Sequence, residues 1–464
     1  MSVVAERLVA ALGPDAVHTE PEDLAVYAFD AYSENRLPTA VVVPKDVREV
    51  TQIVRIAADC NEPIVARGAG TGLCGGAVPT QGGIVISFSR LNRILWIDAA
   101  NRRARVQSGL INLDLSKATA RDGLFYAPDP SSQKASTLGG NVGTNAGGPH
   151  CLSYGTTTNH VIGLEFVDHR GEVVSVSQDD AGYDLTGVLV GSEGTLGVVT
   201  SVDVRLLRLP EAVRVYLATF ADVESASEAV SQIIGAGIVP TALEIMDKVI
   251  TGAVEAAFHA GFPEDAGAVL LIETAGFADD MDALEMSLAR IAKGSGALSW
   301  RSARTQTECD SLWAARKGAA GAIGRLAPNY YIQDCTVPRT KLPEVMKRVD
   351  DIARDHRLVV GNVFHAGDGN LHPLLLFDRS RPRDVQAVID AGTEILDTCI
   401  AFGGTISGEH GIGYEKRESL TRLFSADDLA TMSRVRDVLD PARRFNPDKI
   451  FPSSASCAEV RVPA

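Results

Sequence analysis

Arg67-Gly68-Ala69-Gly70-Thr71-Gly72-Leu73-Cys74-Gly75-Gly76 follows an apolar run, Pro63 to Arg67, and half of its ten residues are glycine. Gly70, Gly72 and Gly75 satisfy the letters of G-x-G-x-x-G, but a dinucleotide fingerprint of that type must open a helix, so that the helix dipole faces the pyrophosphate. Here Pro79 and Gly82-Gly83 come next, and then the strand-like run Gly83 to Phe88. The Rossmann reading is therefore rejected. A glycine-rich loop with free N–H groups can still cradle a diphosphate without a helix.

Outward from this loop the pattern is a β-α-β unit. Apolar Ala40 to Val43 precedes a helix opened by Asp46, with Glu49 three residues on as in a capping box. Val47, Val50, Ile53, Val54 and Ala57 recur at three and four residues and make one buried face. A further strand is expected at Ile94–Asp98. Two more glycine-rich stretches follow, Pro128 to Gly148 and Gly191-Ser192-Glu193-Gly194-Thr195-Leu196-Gly197-Val198-Val199-Thr200. The composition of the first builds no packed element, although Leu138, Val142 and the strand-like Val161–Val167 point to an ordered loop rather than a flexible linker. The second runs straight into a strand. Taken singly, each loop could be a tight-turn device, since glycine serves turns and ligand sites alike.

From Arg214 strands at Val213–Phe220, Val239–Met246 and Ala268–Thr274 alternate with helices near Val223–Ile234 and Met281–Ala292. An α+β unit with helices on one face of a sheet is expected. Its sharpest chemistry is Val363-Phe364-His365-Ala366-Gly367-Asp368-Gly369-Asn370-Leu371-His372. Asp-Gly favours a two-residue hairpin turn. Placed there, it pairs His365 directly with His372 on one sheet face, at the roughly 4.5–5.5 Å Cβ separation of cross-strand neighbours. Glu409 and His410 recur in Gly408-Glu409-His410-Gly411-Ile412-Gly413. Two imidazoles and a carboxylate suit a divalent metal, zinc, manganese or iron, with open positions for water or substrate.

The bulk numbers bound the function classes. A chain of 464 residues exceeds one ordinary core. A formal charge of −15, from 44 Lys plus Arg against 59 Asp plus Glu, opposes nucleic acid and anionic membrane as partners. No apolar stretch reaches the ~18 residues of a membrane span. Met1 to Leu12 lacks a signal-peptide design, so a cytoplasmic address is expected, with membrane contact only through a partner. The seven cysteines include no C-x-x-C pair, so no zinc ribbon or iron–sulfur cluster is readable. Electrons leaving such a protein need a separate acceptor.

The order of the three glycine-rich loops resembles the FAD-binding domain of the vanillyl-alcohol-oxidase, or p-cresol-methylhydroxylase-type, superfamily. The F-H-A-G-D-G-N-L-H and S-G-E-H-G-I-G motifs resemble those of its FAD-dependent D-2-hydroxyacid dehydrogenases: glycolate oxidase flavoprotein subunits, D-lactate dehydrogenases and D-2-hydroxyglutarate dehydrogenases. The likeness runs from about Leu37 to Pro452. It implies an α+β protein: a flavin domain of two α/β subdomains at 1–210, an α+β cap with an antiparallel sheet at 211–413, and a segment at 414–464 that returns to the flavin domain.

By the same resemblance Arg67, Gly68, Ala69, Gly70, Thr71, Gly72 and Leu73 lie on the pyrophosphate side. Pro128, Thr137, Gly140, Asn141, Thr144, Asn145 and Gly148 surround the flavin, with Glu193, Gly194, Gly197, Val198 and Asn446 completing the site. Relatives that attach FAD covalently often carry histidine in the first loop. This chain has Ala69 and Gly70, so non-covalent FAD is implied. His365, His372 and Glu409 would bind metal, which polarises the C2 hydroxyl of a small 2-hydroxyacid. His410 would be the base, and Arg316, in a W-x-x-R motif, would grip the substrate carboxylate while hydride passes to flavin N5. Relatives acting on 2-hydroxyglutarate carry lysine where this chain has Ile332, which favours D-lactate or glycolate. A D-2-hydroxyglutarate-type enzyme, and a metal-dependent hydrolase if no flavin is bound, are the alternatives. An iron–sulfur subunit, a cytochrome or a quinone would accept the electrons, with oxygen as the alternative, and a homodimer is compatible with all of this. Residues from Ser453 onward read as a loose end.

Overall fold

The computed structural model describes residues 2–32, 34–263 and 265–453, so 454–464, most of the expected loose end, lie outside the described residues. Two compact units emerge: Met1–Gly148 with Gly155–Leu209 and Glu409–Ala464, and Pro149–Tyr154 with Pro210–Gly408. The second division falls at Gly408/Glu409 rather than after Gly413. The reason is local, because Glu193 of the first unit accepts the N–H groups of Ile412 and Gly413.

In the first unit, β1 (Val17–His18), β2 (Ala40–Val42), β3 (Ile64–Arg67) and β4 (Ile84–Ser87) form a sheet in the order β1-β2-β4-β3. The β2–β4 and β3–β4 pairs are parallel. Helix α1 (Val47–Cys60) connects β2 to β3 and buries Val50, Ile53, Val54 and Ala57, the periodic face, against Ile64, Ile84 and Ile86. Each buried valine or isoleucine there contributes about 1.5–3 kcal/mol by leaving water, and the Ala57 methyl less. Asp46 caps the helix through the Glu49 N–H at 3.0 Å, and the Glu49 carboxylate accepts the Lys45 N–H at 2.8 Å. The glycine-rich stretch after β3 opens no helix.

A second, antiparallel sheet holds β5 (Ile94–Asp98), β6 (Arg103–Gln107), β7 (Val161–Val167), β8 (Val173–Ser177) and β9 (Val198–Arg205), in the order β5-β6-β9-β7-β8. Against it packs α2 (Leu138–Thr144), a helix in the stretch expected to build no packed element. Composition misled here for a definable reason. Thr137 caps the first turn, Asn145 ends the last in a left-handed conformation, and Leu138 and Val142, one turn apart, are both fully buried in the core. The returning segment seats Phe445 in the first core, where Ile64 N–H donates to Arg444 O and Asn446 N–H to Ile64 O. After Gly413 the chain is helical at Leu420–Leu423, following a 3-10 turn at Arg417–Ser419, while the Tyr414 and Glu415 amides are drawn to Cys74 O. A longer helix follows at Ala426–Leu439.

The second unit runs β10 (Ala212–Phe220), α3 (Val223–Gly235), β11 (Ala242–Asp247), α4 (Lys248–Phe258), β12 (Ala268–Gly276), α5 (Met281–Gly294), β13 (Ser299–Ser302), α6 (Gln306–Lys317), β14 (Asn329–Ile332), β15 (Cys335–Thr336), α7 (Leu342–Asp355), β16 (Val359–His365), β17 (Asn370–Leu371), β18 (Pro373–Phe377) and α8 (Pro382–Ala401). Its nine strands make one antiparallel sheet, β13-β10-β12-β11-β16-β17-β15, with β18 joined to β16 and β14. Helices cover both faces rather than one. Helices α4 and α6 pack on Val215, Leu217, Met246 and Leu271, whereas Met281 of α5 meets Thr274, whose hydroxyl also reaches Tyr216, on the other. The near-continuous apolar run of β12, Ala-Val-Leu-Leu-Ile, is what a doubly covered strand requires.

Candidate functional site

In the first unit the glycine-rich stretches close on one another. A Cβ added at Gly68 would lie 2.4 Å from Thr137 Oγ1, so the first loop can meet the cap of α2 only as glycine. Arg67 does not extend outward: its guanidinium donates to Phe29 O at 2.6 Å, lies 5.7 Å from the Tyr27 ring centroid, and fills the space beside Gly70. Burial pushes its pKa down. Ala31 N–H donates to Gly72 O, and Asp30 accepts Ala77 N–H at 3.2 Å; burial raises this carboxyl's pKa. Gly140 N–H donates to Thr137 Oγ1, and Thr144 donates to Gly140 O. Asn145 accepts Thr158 N–H, and Gly148 abuts Asp129 near Pro128, whose carbonyl Asn112 holds. Ala69, Thr71 and Leu73 share the irregular first loop; Gly194 is left-handed, Gly197 packs on the Phe166 ring, and Val198 starts β9.

Around α2 the buried Asn141 Nδ2, Asn112 Oδ1, Ser108 Oγ and Ser136 Oγ find no hydrogen-bond partner among the described residues. Asn446 Nδ2 donates to Gly76 O and Glu193 O, and its buried Oδ1 is likewise unpartnered. Buried polar atoms are ordinarily satisfied. Such a concentration of unpaired donors and acceptors beside glycine-lined backbone fits a large polar cofactor such as FAD.

In the second unit His365 and His372 are together, though not as the Asp-Gly turn implied. His365 pairs with Asn370, and Asn362 with Pro373, so the connection is the four-residue loop Ala366–Gly369 and the register differs by two. Only Gly369 of the Asp-Gly pair has positive φ, which excludes a type I′ turn. Outside bonds hold the loop open: Gly367 N–H donates to Leu243 O, Val337 N–H to Gly369 O, and Arg339 to Gly367 O. An even shift preserves which face a side chain occupies. The imidazoles therefore remain neighbours, with ring centroids 5.1 Å apart and edge to face.

Both are buried. His365 Nδ1 lies 2.7 and 2.9 Å from the Glu244 oxygens, which places its proton on Nδ1 and leaves the Nε2 lone pair able to accept a proton or a cation. Glu244 also pairs with Arg316, on α6, whose Nε has no hydrogen-bond partner among the described residues. His372 Nε2 stands 3.4 Å from Asp334, which holds Ser407 Oγ at 2.7 Å and Gly408 N–H at 3.1 Å. The donor chemistry, a carboxylate-oriented imidazole beside a second imidazole, fits a divalent cation. Glu409 follows Gly408 in the chain and belongs to the first unit, where its Oε1 lies 3.9 Å from His410 Nε2.

Comparison with known proteins gives this geometry its context. Residues 38–177 match a family described as FAD binding domain, and residues 209–450 match FAD linked oxidases, C-terminal domain. Glycolate oxidase subunit GlcD of Escherichia coli (strain K12) is 43% identical over 451 residues, covering 96% of this chain and 90% of that protein. The Bacillus subtilis (strain 168) protein of the same name is 39% identical, covering 97% of each. The chain belongs to the FAD-linked oxidases. D-lactate dehydrogenase of Archaeoglobus fulgidus is 33% identical, covering 91% of this FAD-linked oxidase and 95% of that protein. Among solved structures, p-cresol methylhydroxylase superposes with a TM-score of 0.81 at 15% identity, covering 96% of both chains, which shows the fold alone. This FAD-linked oxidase is thus a flavoprotein oxidoreductase of p-cresol-methylhydroxylase-type fold, and a hydrolase without flavin does not fit. No helix among the described residues is long and apolar enough to cross a membrane.

Several residues that shape the sites escaped sequence reasoning. Glu244, Asp334, Glu273 and His150 carry no motif. Glu273 accepts the Trp313 indole N–H at 2.7 Å and lies 2.8 Å from His150 Nε2, while the Lys317 ammonium stands 5.6 Å from the Trp313 ring centroid. Trp313 is one helical turn before Arg316, so α6 is tied to the sheet by two carboxylates, Glu273 and Glu244. Glu244 and Glu273 carry a weak sequence signal, an acidic residue inside an apolar strand, whereas Asp334 and His150 lie outside the strands.

Proposed function

We propose that this protein oxidises a small 2-hydroxyacid, glycolate or D-lactate, to the 2-oxoacid. The observation that carries the proposal is the buried series Arg316–Glu244–His365 beside His372. One carboxylate there fixes both the tautomer of an imidazole and the pose of a cation suited to a substrate carboxylate. When bound, FAD is the acceptor of the C2 hydride, and a divalent cation supplies the charge that acidifies the hydroxyl.

The chain's own residues have these roles. His365, His372 and Glu409 would hold the cation, and His410 receives the hydroxyl proton on a ring nitrogen. Arg316, paired through Nη2 with Glu244, would bring its unpartnered Nε to the substrate carboxylate. Similar proteins named for glycolate, D-lactate and D-2-hydroxyglutarate support the substrate class. Ile332 packs against the apolar cluster and cannot pair with a second carboxylate, which favours the smaller acids. The word subunit in the name of the glycolate oxidase relatives supports work within a larger assembly; the electrons would pass to a separate acceptor, an iron–sulfur subunit, a cytochrome or a quinone, with the cytoplasm as the address.

Anaerobic addition of glycolate, D-lactate or D-2-hydroxyglutarate to the FAD-loaded protein should bleach the flavin visible band with one of the first two. His410→Ala should keep FAD and lose bleaching by roughly 10²–10⁴-fold, the usual span of general-base catalysis. Bleaching at the wild-type rate would refute the base assignment.

A further inference from the structure

Glu193 is grouped by resemblance with the flavin-site residues, but its carboxylate oxygen Oε1 is taken up by backbone N–H groups of the protein itself, an arrangement the chemistry above does not employ. It is a non-glycine residue at φ 50°, a conformation that L residues hold only when their surroundings compel it. Its carboxylate is buried, and one oxygen, Oε1, accepts two successive N–H groups, Ile412 at 2.7 Å and Gly413 at 3.0 Å. Its N–H donates to Gly143 O, and its carbonyl accepts Asn446 Nδ2 at 2.6 Å. Burial raises the carboxyl's pKa, and the two amides oppose that rise.

The segment it grips is held from three further directions. Tyr414 and Glu415 N–H groups donate to Cys74 O in the first glycine-rich loop, Ile450 N–H donates to Gly413 O, and Lys416 N–H closes on Ile412 O. Gly411, at φ 88°, has room for no side chain: a Cβ would lie 2.8 Å from Glu193 Oε1. His410 is the residue immediately before this clamped turn.

We infer that Glu193 is a positioning residue for His410: by fixing the 411–413 backbone, its carboxylate sets the ring that takes the substrate proton. The inference rests on the reading of His410 as base. A misplacement of about 1 Å at a reacting group costs on the order of 10²-fold in rate, so the effect is large enough to read.

The test uses the FAD-loaded protein in anaerobic stopped-flow reduction by glycolate or D-lactate. Glu193→Gln keeps an oxygen that can accept both amides and should reduce flavin within about threefold of wild type, whereas Glu193→Ala should fall by roughly 10²-fold. In the alanine variant FAD content and the substrate dissociation constant should stay within about twofold, since only positioning of the base has changed. If Glu193→Ala fails to fold or to keep FAD, Gly411→Ala is the second variant, and it should lose rate to the same degree with flavin retained. Wild-type reduction by Glu193→Ala, or by Gly411→Ala where that variant is used, would overturn the inference. So would equal loss in Glu193→Gln and Glu193→Ala, or loss of rate only in proportion to loss of FAD. If His410→Ala itself reduces flavin normally, the base reading fails first; if His410→Ala is dead and Glu193→Ala is not, only the positioning role fails.

Discussion

Glu244 is the residue on which most of the cap chemistry converges. Its side chain is fully buried, yet it faces both a guanidinium and an imidazole. Removing one partner of a buried ion pair leaves the other uncompensated, so Glu244→Ala should cost about 3–5 kcal/mol in the urea unfolding of the holoprotein. Glu244→Gln keeps the volume but lets His365 choose the wrong tautomer. Calorimetric titration with zinc or manganese should show affinity lower by about 10- to 100-fold, as for other lost partners of ligating histidines. Unchanged affinity would remove Glu244 from the metal's support. The two histidines were legible as a pair because their spacing and the turn signal place them on one sheet face. Glu244 was not, because its partner His365 lies 121 residues away.

Among the elements, α2 shows how far composition can be trusted. Three of its seven residues are glycine, and helix propensity alone argues against it. Its ends are nevertheless well capped, and Leu138 and Val142 anchor it. Gly139 sits so close to the β6 end that a Cβ would lie 2.5 Å from Ser108 Cβ and 2.8 Å from Ser108 O. Gly139→Ala should therefore displace the helix despite its better propensity, costing about 1–3 kcal/mol as an overpacked contact does. Thermal denaturation should show a lower midpoint, and the purified protein a lower flavin-to-protein absorbance ratio. A midpoint equal to or above wild type would mean that the helix can move without loss. The β16–β17 loop carries the complementary lesson. Asp-Gly correctly signalled a reversal, but Leu243, Val337 and Arg339 pulled the loop to four residues.

For the molecule as a whole, the returning tail ties distant parts of the first unit together. Lys449 is completely buried and its ammonium donates to Val78 O, Thr80 Oγ1 and Pro447 O. Burial pushes its pKa down from 10.5 to about 8. Between those two values the unfolded chain binds a proton that the folded chain lacks, so this group's contribution to stability rises with pH across that window and is least favourable below it. Urea midpoints for wild type and Lys449→Met should accordingly diverge in wild type's favour as pH goes from about 8 to 10.5. A constant difference would show that the ammonium stays protonated throughout.

The sequence by itself determined the α1 face, the strands that flank the glycine-rich loops, the likeness to flavin-dependent hydroxyacid dehydrogenases and the histidines of the cap, because each depends on local periodicity or on a short motif. Only tertiary structure decided the four-residue loop, the helix at 138–144, the two-sided cover of the cap sheet and the partners Glu193 and Glu244. Those were settled by contacts between residues far apart in the chain, whose hydrogen bonds and burial outweigh what the local residues would choose alone.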